Sequence, residues 1–302
     1  MIQEYSLRRP RLGPIGGSNR ILLIVALGIL SGVSPMATDM YLASMPRLVS
    51  YFETSASAVQ LTLTTYMVGM ALGQFLLGPV SDVLGRRRLM IAGNVLFLIT
   101  SAAIVFAPSI EVVIAIRGVQ GVAGAAGVVI ARAVISDIAT GRDAAKLFSI
   151  LATISSLAPV VAPLLGGVIA TVAPWQVVFW ALTGFGLLML ACSVFVVPET
   201  LPVELRHGGG VRSMAASSWT VMRSPGFMAY ALTYGLAFGS LFAYISASSF
   251  VVQNVLGIAP LGYAVIFAVN AGGMITGALV NARLVNRIDP APFCGWWSWW
   301  PA

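Results

Sequence analysis

Two ionisable side chains of opposite sign lie inside long apolar runs. Asp39 sits in Thr38-Asp39-Met40-Tyr41-Leu42-Ala43-Ser44-Met45-Pro46, and Arg117 opens Arg117-Gly118-Val119-Gln120-Gly121-Val122-Ala123-Gly124-Ala125-Ala126-Gly127. A charge in hydrocarbon is costly and normally faces a cavity or a partner of opposite sign. At 1.5 Å per residue, Asp39 lies roughly 8 Å and Arg117 roughly 9 Å from the same end of their runs, so the two share a depth. A lone carboxylate at that depth holds its proton, and a neighbouring guanidinium favours release. The pair is therefore a candidate proton-coupling site. Two plainer readings stand beside it: Asp39 solvated at the headgroup level, and Arg117 purely structural. Gln120 is a candidate polar cavity residue. Met40, Tyr41, Tyr66, Met67 and Met70 are candidate contacts for an apolar small molecule, because soft side chains adapt to many shapes. Helix-packing residues have the same composition.

Two further stretches position rather than titrate. Gly78-Pro79-Val80-Ser81-Asp82-Val83-Leu84-Gly85-Arg86-Arg87-Arg88 joins two apolar runs. Gly78 and Gly85 permit close helix approach and a tight turn. Asp82 can accept from free amides at a helix start or pair with an arginine. Arg86, Arg87 and Arg88 hold the loop at a charged membrane face, which a plain basic connection would also do. In Ala158-Pro159-Val160-Val161-Ala162-Pro163-Leu164-Leu165-Gly166-Gly167, Pro159 and Pro163 each remove a helical amide donor. Gly166 and Gly167 then allow bending. The glycines from Gly118 to Gly127, three residues apart, leave one side of their helix without bulk for close packing.

The elements that must position these residues are themselves membrane-borne. Of 302 residues, 58% are hydrophobic and 9% charged, against about 25% charged in soluble domains. A span needs about 20 mostly apolar residues. Such runs lie near 21–44, 58–80, 88–107, 111–134, 145–170, 176–197, 226–252 and 262–282. The first is too long for a cleaved signal peptide and is read as a retained helix. With the amino terminus in the cytoplasm, that side holds Arg8, Arg9, Arg11, Arg20, Arg86, Arg87, Arg88, Arg132, Arg142, Lys146, Arg206, Arg212, Arg223, Arg283 and Arg287. Only Arg47 is left outside and Arg117 within a span, of 17 basic residues. This asymmetry sets the expected topology. A cytoplasmic segment (1–20) would precede six spans (21–197). A polar linker (198–225) would lead to two further spans (226–288), as in transporters built from two repeats. The expected fold class is thus an all-α polytopic membrane protein, and the second repeat reads as cut short. The tail from 289 to 302 packs four of the chain's seven tryptophans into five positions. It fits either an aromatic belt or a change of reading frame near Asp289, and the second is favoured.

The motifs together resemble the major facilitator superfamily. The Gly78–Arg88 loop resembles its signature loop, departing at Val83 and Arg88. The Arg117 run resembles its fourth-helix motif, whose arginine is tied to proton coupling. The doubled Ala-Pro stretch resembles the fifth-helix motif of its drug:proton antiporters, and looks most like the bicyclomycin and chloramphenicol resistance subgroup. Asp39-Met40-Tyr41 with Met45-Pro46, and Ala131-Arg132-Ala133-Val134-Ile135, point the same way. Asn281-Ala282-Arg283-Leu284-Val285-Asn286-Arg287 is similar to the start of the second repeat's loop. The resemblance runs from about Ile21 to Asp289 and implies two rocking halves around a midplane cavity. It further implies multidrug efflux from the cell inner membrane, driven by protons entering at Asp39. A non-functional truncated fragment of such a transporter and a transporter of a defined metabolite are the alternatives.

Other classes find no support. The net charge of +7 is too thinly spread for nucleic acid, and Cys192 and Cys294 make no metal-type spacing or disulfide framework. No nucleophile–base set points to an enzyme, and no cofactor or metal is implied. His207 reads as a solvated loop histidine. The expected partners are a small-molecule drug or metabolite, protons and membrane lipid; the oligomeric state stays open.

Overall fold

A computed structural model describes residues 17–206 and 221–285. His207, Gly208 to Gly210 and the Trp-rich tail lie outside the described residues. The first span is two helices, α1 (Gly17–Ser31) and α2 (Val33–Leu42), bent by 44°. The chain explains the break. Gly32 follows α1, and Pro35 lacks the N–H that would meet the Ser31 carbonyl one turn back. A short α3 (Met45–Tyr51) carries Pro46 in its first turn.

Six unbroken helices follow from one side of the membrane to the other. They are α4 (Ala56–Leu84), α5 (Arg86–Val105), α6 (Ile110–Ile138), α7 (Gly141–Val172), α8 (Gln176–Phe195) and α9 (Pro225–Phe250). α9 runs on into a π-turn (Val251–Val255), and α10 (Pro260–Val285) returns. Among the described residues, seven helices are long and apolar enough to cross a membrane, and the bent α1–α2 pair makes an eighth. The spans fall where the apolar runs put them. α4, α6 and α7 extend past those runs at both ends, where polar residues carry on the helix.

The main contacts are α4 on α6, α5 on α6 and α8, α10 on α7, and α1–α2 on α7. Glycines set the approach. A Cβ at Gly69 would collide with Gly118 O, and one at Gly121 with Tyr66 O, so α4 and α6 touch backbone to backbone. At Gly127 the obstacle is instead Leu30 O of α1, 2.8 Å away. Residues three apart on a helix turn back by about 60°. The glycine row therefore spirals from one neighbour to another rather than marking one side. Buried polar pairs add specific cross-links: Thr65 Oγ1 to Ile114 O at 3.0 Å, Asn94 Nδ2 to Ser193 Oγ at 2.6 Å, and Gln120 Nε2 to Ser101 Oγ at 2.8 Å.

α7 continues unbroken from Gly141 to Val172 through both Pro159 and Pro163, so the prolines do not interrupt it. Gly166 and Gly167 serve contact instead. A Cβ at Gly166 would strike Met40 O of α2, and one at Gly167 would strike the Ala264 methyl of α10. Along α10, Tyr263, Ala264, Phe267, Ala268 and Ala271 are buried, while Gly272, Gly273 and Gly277 face open space. α10 therefore leaves the first six spans after Ala271. We call the end carrying Gly85 and the 198–206 segment the linker end, and the opposite end, with the 52–55 and 256–259 loops, the far end. The α9–α10 pair meets the first six spans at the far end.

Candidate functional site

The Arg117 side chain is fully buried, at 0% exposure. Its Nη1 donates to Ala37 O at 3.0 Å and to Gln120 Oε1 at 2.8 Å. Three rings surround it: Tyr66 at 4.8 Å, Tyr41 at 5.0 Å and Phe179 at 5.8 Å from guanidinium carbon to ring centroid. Among the described residues Nε and Nη2 have no hydrogen-bond partner, which leaves them to the ring faces. A desolvated cation over an aromatic face gains up to about 2 kcal/mol. Four helices thus build the cage: α2 supplies Tyr41, α4 Tyr66, α6 the arginine itself and Gln120, and α8 Phe179. The cage is pinned by Tyr41 Oη and Thr62 Oγ1, 3.1 Å apart.

Asp39 lies two residues beyond the carbonyl that Arg117 holds, so the pair does share a depth. Among the described residues no ion pair joins them. Asp39 is buried on α2, and its hydrogen bond is to Thr38 Oγ1, 2.8 Å from Oδ1. That hydroxyl is also 2.9 Å from Ser34 O. A hydroxyl has one proton and two lone pairs. Thr38 can therefore donate to an ionised Asp39, or turn to Ser34 O and accept from a protonated one. Tyr263 comes from α10 and stands 3.1 Å from Ser248 Oγ of α9.

The linker end holds a second constellation. Gly85 has φ +96 and ψ 151, a region open essentially to glycine alone. Arg86 pairs with Asp82 at 2.7 Å and with Asp137 at the end of α6 at 3.2 Å, and it also donates to Ser81 Oγ. Asp137 accepts from Thr200 Oγ1 at 2.9 Å. Glu199 Oε1 accepts the Arg86 amide at 2.9 Å and the Leu201 amide at 3.1 Å, capping α5, while Oε2 faces Arg206 at 3.4 Å. Arg87 donates to the carbonyls of Ser193 and Val194 at the end of α8. Gly78 is not crowded: the nearest atom to an added Cβ is Val129 Cγ1 at 4.0 Å. Its role is not close approach.

Of the expected small-molecule contacts, Tyr41, Tyr66 and Gln120 are spent on the arginine cage, and Met40 and Met70 are buried in the core. Only Met67 is partly exposed. Their faces turn into the bundle because α2 and α4 bury those sides against α6 and α7. Sequence reasoning missed Phe179, Asp137, Ser248 and Tyr263. A carboxylate closing α6 was the available signal for Asp137; nothing distinguished the aromatic residues from ordinary packing.

The Major Facilitator Superfamily profile matches residues 27–296. An uncharacterised MFS-type transporter of Bacillus subtilis, YdgK, is 36% identical over 269 residues, covering 88% of this chain and 67% of that protein. A bicyclomycin resistance protein homolog of Haemophilus influenzae is 32% identical, again covering 88% and 67%. A bacterial homolog of the human lysosomal transporter Spinster, solved inward-facing and unoccupied, superposes with a TM-score of 0.71 at 18% identity. That match covers 91% of this chain and 65% of the solved one. The chain thus spans about two thirds of the length of the relatives it matches. Its bundle, its signature loop and its profile match agree: the chain belongs to the Major Facilitator Superfamily of membrane transporters, in the branch of its bicyclomycin and chloramphenicol resistance relatives.

Proposed function

We propose that the chain acts in proton-coupled export of small apolar or cationic drugs across the bacterial inner membrane, with its amino terminus in the cytoplasm. α1–α8 form one rocking half and α9–α10 begin the other. The basic residues gather at the linker end, which by the positive-inside bias is the cytoplasmic one. The far end then faces outward and is closed by contacts between the halves.

The observation that carries this reading is the state of Asp39. It is a buried membrane carboxylate, and among the described residues no salt bridge commits it to one charge. Its partner hydroxyl can serve it protonated or ionised. Arg117, held in its cage at a similar depth through Ala37 O, keeps its charge without binding the carboxylate. Such a site can load and unload a proton without dismantling an ion pair, which a drug–proton exchange cycle requires. The relatives' names supply the drug side.

The test is fluorescent-dye efflux from everted vesicles, with the chain extended to the length of its relatives. Asp39→Asn is isosteric and cannot titrate. It should insert at normal level and lose export driven by a pH gradient. Undiminished efflux by the variant would remove Asp39 from the mechanism.

A further inference from the structure

Pro46 leaves a gap in the backbone one turn beyond Asp39. In a continuing helix, Leu42 O would accept from the amide of residue 46, but proline has none. Ala43 O would accept from Arg47, whose amide turns to Ser44 O instead, at 3.1 Å. Among the described residues, the turn and cap hydrogen bonds give neither oxygen a backbone donor. A bare carbonyl inside a membrane protein is expensive, and something must satisfy these two.

The donors come from the other half. Ser249 Oγ on α9 donates to Leu42 O at 2.6 Å. Gln253 Nε2, in the π-turn that follows, donates to Ala43 O at 3.2 Å and to Ser249 Oγ at 2.8 Å. The amide has two protons and the hydroxyl one, so each is used and both carbonyls are met. Ser249 is fully buried. Gln60 Nε2 adds a reciprocal bond to Ser246 O at 3.1 Å. Ser246, Ser249 and Gln253 recur at three and four residues, so they line one side of α9 and the π-turn that continues it.

The geometry points to Ser249 and Gln253 as positioning residues. They form a latch that holds the far end shut on the carbonyls Pro46 exposes, three and four residues past Asp39. When the halves part, water must replace both donors. Far-end opening therefore hydrates the chain within one helical turn of Asp39. Closure of the gate and access to the carboxylate are one event, because both are built on the same broken first span. The latch needs two halves that separate at the far end, as the proposed cycle has them, but neither drug nor proton.

The test measures separation directly. Spin labels are placed at Ser57→Cys on α4 and Leu256→Cys beyond α9, both exposed, in a Cys192→Ser, Cys294→Ser background. Their distance distribution is read by double electron–electron resonance in lipid nanodiscs. Ser249→Ala with Gln253→Leu should raise the ratio of separated to closed molecules by roughly tenfold, as expected for two lost hydrogen bonds. Pro46→Ala should act in the same direction without touching α9, because it returns an amide to Leu42 O. Ser249→Thr keeps the hydroxyl and should keep the parental distribution. A purely structural role would lower thermal stability and leave the distances alone. If the double variant fails to insert, Pro46→Ala decides. An unchanged distribution in the inserting variants overturns the latch. If instead the labels separate while Asp39→Asn still exports, the latch stands and the proton reading falls.

Discussion

At the scale of the residue, an arginine in the membrane is held by rings rather than by an acid. A guanidinium is planar and stacks on aromatic faces, whereas an ammonium is compact and strongly hydrated. Arg117→Lys should therefore fail even though it keeps the charge. It would lose the fit to Tyr41, Tyr66 and Phe179 and weaken the bonds to Ala37 O and Gln120. We expect a loss of about 2 kcal/mol in stability, the range for hydrogen bonds to charged groups. Thermal unfolding in detergent checks this, and an unchanged midpoint would mean the cage is incidental. Asp39 and Arg117 were legible in the sequence because charges stand out in apolar runs. Their shared depth was legible from residue counts. That they do not bond was not, because it depends on how α2 and α6 are rotated about their axes. That rotation is set by Gly166 against Met40 O and by Gly121 against Tyr66 O, contacts that no single run of sequence contains.

At the scale of the element, the turn between α4 and α5 is the most constrained point. Gly85 combines a backbone region reserved for glycine with a crowded site. An added Cβ would lie 2.5 Å from Arg206 Nη2 and 2.6 Å from Glu199 Oε2. Gly85→Ala should cost about 2 kcal/mol through backbone strain. It should also free the start of the linker, since Glu199 must move off the Arg86 amide. Limited proteolysis of membranes should then cut near residues 199–206 faster than in the parent; equal cutting rates would show that the linker is not held there. The turn was readable from Gly85-Arg86-Arg87. The Glu199 cap was not, since it joins residues more than a hundred apart. The break in the first span had a local signal, Gly32 with Pro35. The prolines of α7 sent a similar signal with a different outcome. There the flanking glycines lie against α2 and α10, and packing on both sides keeps the helix continuous.

At the scale of the whole molecule, the bundle has one basic end and one nearly free of basic residues. The proposed orientation makes a direct prediction. A single cysteine at Glu53 in the far-end loop should react with a membrane-impermeant maleimide on intact spheroplasts. One at Lys146 near the start of α7 should react only after permeabilisation. The opposite pattern would invert the molecule and place the latch on the cytoplasmic side. The number and places of the spans were legible because hydrocarbon thickness sets them. The meeting of α7 with α10 was not, because it pairs helices across the linker.

The length of the helices has a last consequence. α4 and α6 have 29 residues each and α7 has 32, so at 1.5 Å per residue they stand about 44–48 Å tall. The hydrocarbon layer is only about 30 Å thick. The Asp82–Arg86–Asp137 cluster therefore belongs to the zone of lipid phosphates and glycerol esters, not to oil. There the bilayer's own anions compete with Asp82 and Asp137 for the same guanidinium. If the proposed export cycle turns on this loop, its rate should change between neutral and anionic liposomes, and equal rates in both would show that headgroup charge does not reach the cluster.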